Sequence, residues 1–591
     1  MECKKGYLFD YISGNEVKAT PEEIDAVQVF SKILVEDYRY SKEQISTHPQ
    51  WRVKARPSDS KKEYPVDIAV FKDNNKTDDN LYIIVECKKK NRKDGRSQLE
   101  DYLRLSKAYL GVWFNGEEKL FIKKIEKDGK IIFNEIPNIP LEGQRVEDIG
   151  LYKRCDLKPA TNLKTIFKTM RNYLAGNVVG ATRDEVLAQQ LINIIFCKIY
   201  DEKYTKSNDI VSFRAGEGED PAIVKERIVD LFNKVKQRYP DVLDPRDEII
   251  LDEKSIYYVV GELQLYCLMD ATRDAIGDAF EVFIDHALKG GQGQFFTPRN
   301  VVSMIVEMLE PNSEDLIIDP SCGSGGFLIE ALRYVWNNVS KQGELYGWSE
   351  REIEMEKQEV AKNCFRGIDK DYFLSKVCKA YMAVMGDGRG GVFCENSLEN
   401  PKNWQERTRD KIALDTFSLI VTNPPFGAKI KVEGKELLKQ FDLAHKWKFN
   451  KKTNVWEKDK LKDSEAPQYL FIERCIKLLK AGGRIGIVLP DGILGNDKLG
   501  YIRQFILEHT KVLGVVDIPK ETFMPHTSTK TSVLLLQKYK EGEDKTKDYP
   551  IFMAICEKCG HDRRGNSIED DDLARVASEF KKWRKDNNVE F

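Results

Sequence analysis

The chain of 591 residues lacks any segment that reads as a signal or an anchor. Its first residues, MECKKGYLFDYISG, have no apolar core, and no apolar run is long enough to cross a bilayer. A cytoplasmic protein without membrane contact is expected. Net charge is also lacking: 94 Lys and Arg stand against 96 Asp and Glu, for a formal charge of -2. That excludes a generally basic, nucleic-acid-coating protein, so any affinity for phosphates must come from local basic faces. The 12 Cys follow no framework spacing, which fits a reducing compartment rather than a disulfide scaffold. No internal repeat or low-complexity tract is present. There is no G-x-x-x-x-G-K-[ST] phosphate loop.

What is there suits a globular α/β protein of three or four domains, with 41% hydrophobic and 32% charged residues. A first segment, 1–145, opens at Thr20-Pro21-Glu22-Glu23. Here Thr20 is expected as N-cap, Pro21 at the first helical position, and Glu23 as the closing member of a capping box. Strand-like runs follow at Val66 to Phe71 and Leu81 to Val85. A helix carrying Gln98, Tyr102 and Leu105 comes next, then strands at Leu110 to Phe114 and Leu120 to Ile122. Residues 150–285 read as mostly helical. Residues 286–545 alternate helices with short buried strands, the pattern of a doubly wound parallel sheet. Within them, Gly427 to Pro467 is polar and Lys-rich with scattered aromatics, and is expected to be a long mobile insertion. Residues 546–591 form a tail with helix-seam spacing at Leu573, Val576, Phe580 and Trp583. It suits docking to a partner subunit and packing on its own domain equally.

Two motifs carry the chemistry. Asp319-Pro320-Ser321-Cys322-Gly323-Ser324-Gly325-Gly326 follows the apolar run Leu316-Ile317-Ile318 on a strand-to-helix turn. Glycines let the backbone approach a ligand there, and the helix N-terminus favours an anionic group. It is not a G-x-G-x-x-G dinucleotide fingerprint, because Leu328 stands at the third glycine and the next well-placed acid is Asp369. Asn423-Pro424-Pro425-Phe426 follows a second run, Leu419-Ile420-Val421. An amine conjugated to a ring is a poor nucleophile because its lone pair is delocalised. The Asn423 side-chain carbonyl and the Pro424 backbone carbonyl can each accept one of its hydrogens and draw the lone pair toward a sulfonium methyl. Consecutive prolines stiffen that turn, and Phe426 offers a face on which a flipped base could stack.

With GQFFTP at Gly293 to Pro298 and GID at Gly367 to Asp369, these motifs stand in an order that resembles the N6-adenine DNA methyltransferases of type I restriction–modification modification subunits, over about Asp278 to Lys540. The resemblance implies a Rossmann-like domain using S-adenosylmethionine. Phe296 and Thr297 would contact the methionine end of the cofactor, and Asp319, Gly323, Ser324 and Gly325 would line it. Asp369 would bind the ribose hydroxyls. Asn396 stands where many relatives carry an Asp that reads the cofactor's adenine. Asn423, Pro424, Pro425 and Phe426 would be catalytic. A protein-glutamine methyltransferase can also use Asn-Pro-Pro followed by an aromatic residue, but the Gln294 to Pro298 motif and the N-terminal segment argue against it.

A second constellation lies near the N-terminus. Glu86 and Lys88, two apart, share a strand face, and Asp67 lies on the preceding strand. Two carboxylates so placed can hold Mg²⁺ through hard oxygens, and the lysine can orient water and stabilise phosphate charge. The spacing resembles the PD-(D/E)xK nuclease superfamily. Gln98 and Tyr102 resemble the Gln-x-x-x-Tyr element of nuclease domains in restriction subunits. Asp67, Glu86, Lys88 and Gln98 are the catalytic candidates, with Asp67 and Glu86 as metal ligands; Glu22 or Glu23 would add an outer acid. The run Lys88-Lys89-Lys90-Asn91-Arg92-Lys93 would meet phosphates or merely protect a strand edge. Cys556, Cys559 and His561 look like half of a zinc site and are set aside, since no second ligand pair follows. His526 is taken as an ordinary loop histidine.

After the expected last strands, at Arg484 to Leu489, Leu513 to Ile518 and Ser532 to Gln537, only Glu541 to Phe591 is left. That is too short for a recognition domain of roughly 100 residues. Sequence choice on double-stranded DNA is therefore expected from a separate specificity subunit in a hetero-oligomer. Helicase-type ATP motifs are absent, so translocation is not expected within the chain. Nuclease plus methyltransferase without a translocase resembles the fused subunits of type IIB systems. The alternatives are a methylation-only subunit whose N-terminal domain is a non-cleaving binding module, and a non-catalytic platform.

Overall fold

The computed structural model describes residues 3–4, 6–54, 63–90, 92, 94–159, 163–178, 184–240, 242–269, 297–386, 388–427, 430–524, 527–564 and 567–591. The chain divides into two compact units: Met1–Pro240 with Asp244–His286, and Ala287–Phe591 with Asp241–Leu243.

In the first unit the helix that opens near Thr20 begins with a π turn at Glu23–Val27 and continues as α1 (Gln28–Glu36). Thr20 does cap it, since the Glu23 N–H donates to Thr20 Oγ1 at 3.1 Å. The expected capping box is not closed. The Glu23 carboxylate instead accepts from Gln28 Nε2 at 2.8 Å and meets His48 Nε2 at 3.2 Å. A six-stranded sheet follows, with strands adjacent in chain order: β1 (Ile45–Ser46), β2 (Ile68–Phe71), β3 (Leu81–Cys87), β4 (Leu110–Phe114), β5 (Lys119–Lys127) and β6 (Lys130–Ile136). The pair β3 and β4 is parallel, joined by the crossover helix α2 (Arg96–Leu105); the others are antiparallel. Leu99 and Leu103 of α2 press onto Gly111 so closely that a Cβ there would lie 2.7 Å from Leu103 Cδ1.

Helices α3 (Leu163–Asn177), α4 (Asp184–Tyr204), α5 (Pro221–Arg238) and α6 (Glu253–Leu263) build the segment expected to be helical. It shares the compact unit of the N-terminal sheet. Tyr266 Oη donates to Asp37 Oδ2 at 2.8 Å, and Lys119 pairs with the buried Glu262 at 2.7 Å.

The second unit is a three-layer α/β/α sandwich. Its described elements are α7 (Arg299–Leu309), β7 (Ile317–Asp319), α8 (Gly326–Tyr346), α9 (Glu350–Cys364), β8 (Phe365–Asp369), α10 (Tyr372–Gly386), β9 (Val392–Cys394), β10 (Phe417–Thr422), α11 (Pro467–Leu478), β11 (Leu479–Pro490), α12 (Gly500–His509), β12 (Thr510–Asp517), β13 (Thr531–Lys538), β14 (Phe552–Ile555) and α13 (Leu573–Asp586). The eight-stranded sheet runs β9-β8-β7-β10-β11-β13-β12-β14. Only β13 is antiparallel to its neighbours. The period-two pleat sends alternate residues to opposite cores. Ile317, Leu419 and Val421 face α7, α8 and α13, whereas Ile318 and Ile420 face α11 and α12. Strand order reverses between β7 and β10, and such a switch point opens a crevice at the carboxyl ends of the strands.

One expectation changes here, and one of two open alternatives is observed. The described part of Gly427 to Pro467, from Ile430 on, is folded. It holds a short helix at Lys435–Leu438, a hairpin of His445–Asn450 with Val455–Leu461, and a small core of Leu438, Phe441 and Ala444 packed with Leu398, Leu470 and Phe471. Its polarity is that of a thin layer wet on one side, not of a mobile loop. The C-terminal helix α13 packs on its own sheet, with Leu573, Val576, Ala577 and Phe580 buried. Lys581 pairs with Glu307 at 3.5 Å, and Arg584 with Glu310.

Candidate functional site

The turn after β7 is locked from beneath. Asp319 is 1% exposed, and its Oδ1 accepts from Thr422 Oγ1 at 2.7 Å and from the Ser321 N–H at 3.0 Å. The Ser321 and Thr422 hydroxyls also meet at 2.7 Å. The loops after β7 and β10 are thereby tied together. Burial, joined by the charge of Asp369, pushes the Asp319 carboxyl up to about 7. The Gly323 N–H donates to Asp369 Oδ2 at 2.9 Å and the Asp371 N–H to Asp369 Oδ1 at 2.8 Å. Burial raises Asp369 as well, against those two bonds. Gly325, at φ +96°, caps α8, and a Cβ there would sit 2.7 Å from Cys378 Sγ. No other residue type fits that backbone and that contact together.

Asp319, Ser321, Gly323 and Asp369 border a cavity of about 480 Å³, which Gly325 and Thr422 do not line. Ser324, Asp369, Asn396, Asn423, Pro424, Pro425 and Phe426 are among the residues that line it. Asn396 is held by its own turn, with Oδ1 accepting from the Leu398 N–H at 3.1 Å. Asn423 Nδ2 donates to Thr297 Oγ1 at 2.9 Å. The opposite end of that amide, Oδ1, is buried and accepts no hydrogen bond from the described residues. Phe426 is buried, edge-on to Phe523 with ring centres 6.3 Å apart. Gly323 and Thr297 also line the cavity, while Phe296 lies outside the described residues, as does His526.

Sequence reading missed several participants. Thr422 braces Asp319 from 103 positions away, a partner that no spacing rule announces; Thr297, expected at the methionine end of the cofactor, is bonded to the Asn423 amide. Ile430, Val432 and Leu437 of the folded insertion also line the cavity, with Phe471. Their apolar character was the available signal, and they follow no regular spacing.

In the first unit, Asp67, Glu86, Lys88 and Gln98 do come together. Asp67 Oδ2 accepts from the Cys87 N–H at 2.7 Å. Lys88 Nζ pairs with the Glu86 carboxylate and donates to Gln98 Oε1 at 3.3 Å; Gln98 Nε2 in turn bonds Tyr102 Oη at 2.6 Å. Burial first, then the charge of Asp67, pushes Glu86 up to about 7; burial and the charges of Glu22 and Glu23 push Asp67 up to about 6. Burial opposes the Lys88 ammonium, yet Glu86 and Asp67 more than offset it and raise its pKa. Gly95 was overlooked by sequence reading: a Cβ there would lie 2.7 Å from Lys88 Cε. The basic run beyond Lys88 is partly neutralised, with Lys90 paired to Glu117 at 3.0 Å and Arg92 to Asp94, while Asn91 and Lys93 lie outside the described residues.

Asp10, Glu23 and His48 present ligand-type atoms within 4.8 Å of one another. The Asp10 carboxylate is already saturated by Gln28, Ser13 and Thr47, so this cluster is a hydrogen-bonded bracket. Cys556, Cys559 and His561 do not form a ligand cluster among the described residues, and His561 Nε2 lies 3.1 Å from the Glu521 carbonyl oxygen. No helix among the described residues is long and apolar enough to cross a membrane.

Comparison with known proteins adds the lineage. Residues 21–140 match the family described as type I restriction enzyme R protein N terminus. The EcoEI type I methylase subunit of Escherichia coli is 28% identical over 270 residues, covering 45% of this chain and 47% of that one. The MjaVII type I methylase subunit of Methanocaldococcus jannaschii is 26% identical over 343 residues, covering 56% and 52%. The type II restriction enzyme and methyltransferase RM.BcgI of Heyndrickxia coagulans is 23% identical over 257 residues, covering 42% and 32%. The chain spans about half the length of the first two of these relatives. Residues 271–591, more than half of the sequence, match the family described as N-6 DNA methylase. The cavity and its Asn-Pro-Pro-Phe wall lie within that match, and the chain belongs to the N-6 DNA methylase family.

Proposed function

We propose that the second unit transfers a methyl group from S-adenosylmethionine to N6 of adenine in double-stranded DNA. The observation that carries this reading is the buried, unpartnered Oδ1 of Asn423 at the cavity wall. An orphaned buried acceptor is costly, and a donor arriving with the substrate relieves that cost. The donor set fits the cofactor too. A glycine turn at a helix N-terminus suits its carboxylate, and the Asp369 carboxylate on the next strand suits a pair of ribose hydroxyls. When bound, S-adenosylmethionine supplies the electrophilic sulfonium methyl.

The residues of the chain do the rest. Asn423 Oδ1 and the Pro424 carbonyl accept the two N6 hydrogens and localise the lone pair on nitrogen. Thr297 holds the Asn423 amide so that its oxygen, not its nitrogen, meets the amine. Phe426 and the insertion wall exclude water and seat the flipped base. Sequence choice is assigned to a separate specificity subunit in a hetero-oligomer, a reading supported by similarity to proteins named as methylase subunits. Asn396 serves the adenine of the cofactor, and Ser324 and Gly325 its methionine end.

A second activity is favoured by the Asp67, Glu86, Lys88 and Gln98 cluster: Mg²⁺-dependent cleavage of DNA by the first unit. Two crowded carboxylates with raised pKa values are a site whose charge a divalent cation relieves, and both offer hard oxygens. Asp67 and Glu86 would hold Mg²⁺, which supplies a Lewis acid for phosphate chemistry. Lys88, aligned by Gln98, would orient the attacking water. The match of this unit to an R-protein N terminus supports a restriction role without fixing its chemistry.

The test is co-expression with a specificity subunit, followed by methyl transfer and Mg²⁺-dependent cleavage assays on one DNA. N6-methyladenine in the digested product is expected, and cutting confined to unmodified DNA. Transfer to no base, or to cytosine, overturns the first reading. Methylation without any cutting leaves the first unit as a binding module.

A further inference from the structure

The folded insertion carries a basic hairpin that the chemistry above does not use. Between Lys446 and Lys462 there are seven lysines and only two carboxylates, Glu457 and Asp459, in a chain whose overall charge is slightly negative. Lys448, Lys458 and Lys462 are answered by Asp459, Asp442 and Glu465. Lys446, Lys451, Lys452 and Lys460 are exposed, and no carboxylate among the described residues lies within ion-pair reach of them.

The hairpin is not free to collapse onto acidic surface elsewhere. Trp447 stacks on Tyr501 with centroids 5.8 Å apart, and Trp456 meets the same ring edge-on at 6.0 Å. Gln504 clamps both backbone groups of Trp456, at 2.7 and 3.0 Å. Gly500 is required beneath it, because a Cβ there would lie 2.5 Å from Trp456 Nε1. One side of the hairpin is thus riveted to α12, and the unpaired lysines are held out from that support at fixed places.

Its position is also set. Ala444 and Leu461, at the hairpin base, pack in the same small core as Leu398, Val432, Leu437 and Phe471, which line the cavity on their other side. The hairpin therefore rises from the cavity wall. At a strand rise of about 3.3 Å per residue, its arm extends roughly 17 Å, the span of about five phosphates along one strand of duplex.

Resting on the reading of the cavity as an adenine-methylating site, we infer that the hairpin 445–461 is a backbone clamp. Lys446, Lys451, Lys452 and Lys460 grip the phosphates of the duplex beside the flipped adenine, independent of sequence. Holding the flanking duplex beside the cavity mouth positions the extruded base against Asn423.

The experiment uses the full chain, a fluorescent 30-base-pair duplex and anisotropy titrations from 50 to 200 mM salt. It compares wild type with K446Q/K451Q/K452Q/K460Q and with the matching four-arginine variant. In the glutamine variant DNA affinity falls by at least about tenfold, and the salt slope drops by about 0.9 per lost contact. The arginine variant keeps both, and S-adenosylmethionine affinity is unchanged in either. A glutamine variant with wild-type affinity and salt slope overturns the clamp, as does a wild-type chain with no affinity for duplex. Methyl transfer by wild type is scored separately. A chain that grips DNA through these lysines yet transfers no methyl refutes the site and leaves the clamp standing.

Discussion

Replacing Asn423 by Ala tests the methyl-transfer reading most directly. The side chain makes one hydrogen bond to the protein, from Nδ2 to Thr297 Oγ1 at 2.9 Å, and leaves Oδ1 buried without a donor among the described residues. Truncation removes one of the two acceptors assigned to the N6 amine. A preorganised hydrogen bond formed at the reacting atom is worth about 2.7–4 kcal/mol, or about 10²–10³ in rate. The cost to folding is small by comparison, since one ordinary hydrogen bond contributes about 1 kcal/mol. Donor binding is expected to survive, because the glycine turn and Asp369 are bonded to each other and not to Asn423. The assay pairs single-turnover transfer of a labelled methyl group with calorimetric titration of S-adenosylmethionine. The expected result is a rate loss of about a hundredfold or more with donor affinity within twofold of wild type. Thr297→Val, which frees the amide to rotate, is expected to lose less rate than Asn423→Ala. An Asn423→Ala rate within threefold of wild type would falsify the assignment of the Asn-Pro-Pro-Phe wall as the amine-activating element.

Other outcomes follow from the same geometry. Lys88→Ala removes the partner of Glu86 and the contact to Gln98; plasmid nicking in the assembled complex should fall at least about a hundredfold while methylation stays intact, and undiminished nicking would sink the nuclease site. Asp67 and Glu86 titrate near about 6 and about 7, so protons compete with the cation below neutrality. Mg²⁺ affinity should therefore strengthen as pH rises from 5.5 to 7.5, by up to about tenfold per pH unit for each proton released; a flat profile by calorimetry contradicts the crowded-carboxylate argument. Gly325→Ala forces a side chain into a left-handed conformation costing about 1–2 kcal/mol and drives a Cβ to 2.7 Å from Cys378 Sγ. Both the melting temperature and donor affinity should drop, and a variant unchanged in both would show that the turn tolerates a side chain.

The methyltransferase core was legible because its signals are local. Leu316 to Ile318 and Leu419 to Val421 are short, bounded apolar runs, each ending in a motif that only a sharp turn accommodates, and they became β7 and β10 side by side. The first-unit cluster was legible for a similar reason, since strand alternation places Glu86 and Lys88 on one face. Glu23 was misread at the local level. It has capping-box spacing, yet His48 and Gln28 compete for its carboxylate and win. The insertion was misread for lack of a period: its core is six residues drawn from three separate stretches. No window along the chain contains enough of them to announce a fold.

The sequence by itself pointed to the N-6 DNA methylase family, to the order of its motifs and to two clusters of candidate site residues, because strand-to-helix turns and strand alternation are dictated by neighbours along the chain. Tertiary structure alone decided that Thr422 braces Asp319, that Thr297 turns the Asn423 amide so its oxygen is left open, and that a lysine-rich stretch stands as an arm on the cavity wall. Those contacts join residues tens to more than a hundred positions apart. Their geometry exists only once the sheet has brought the strand ends together.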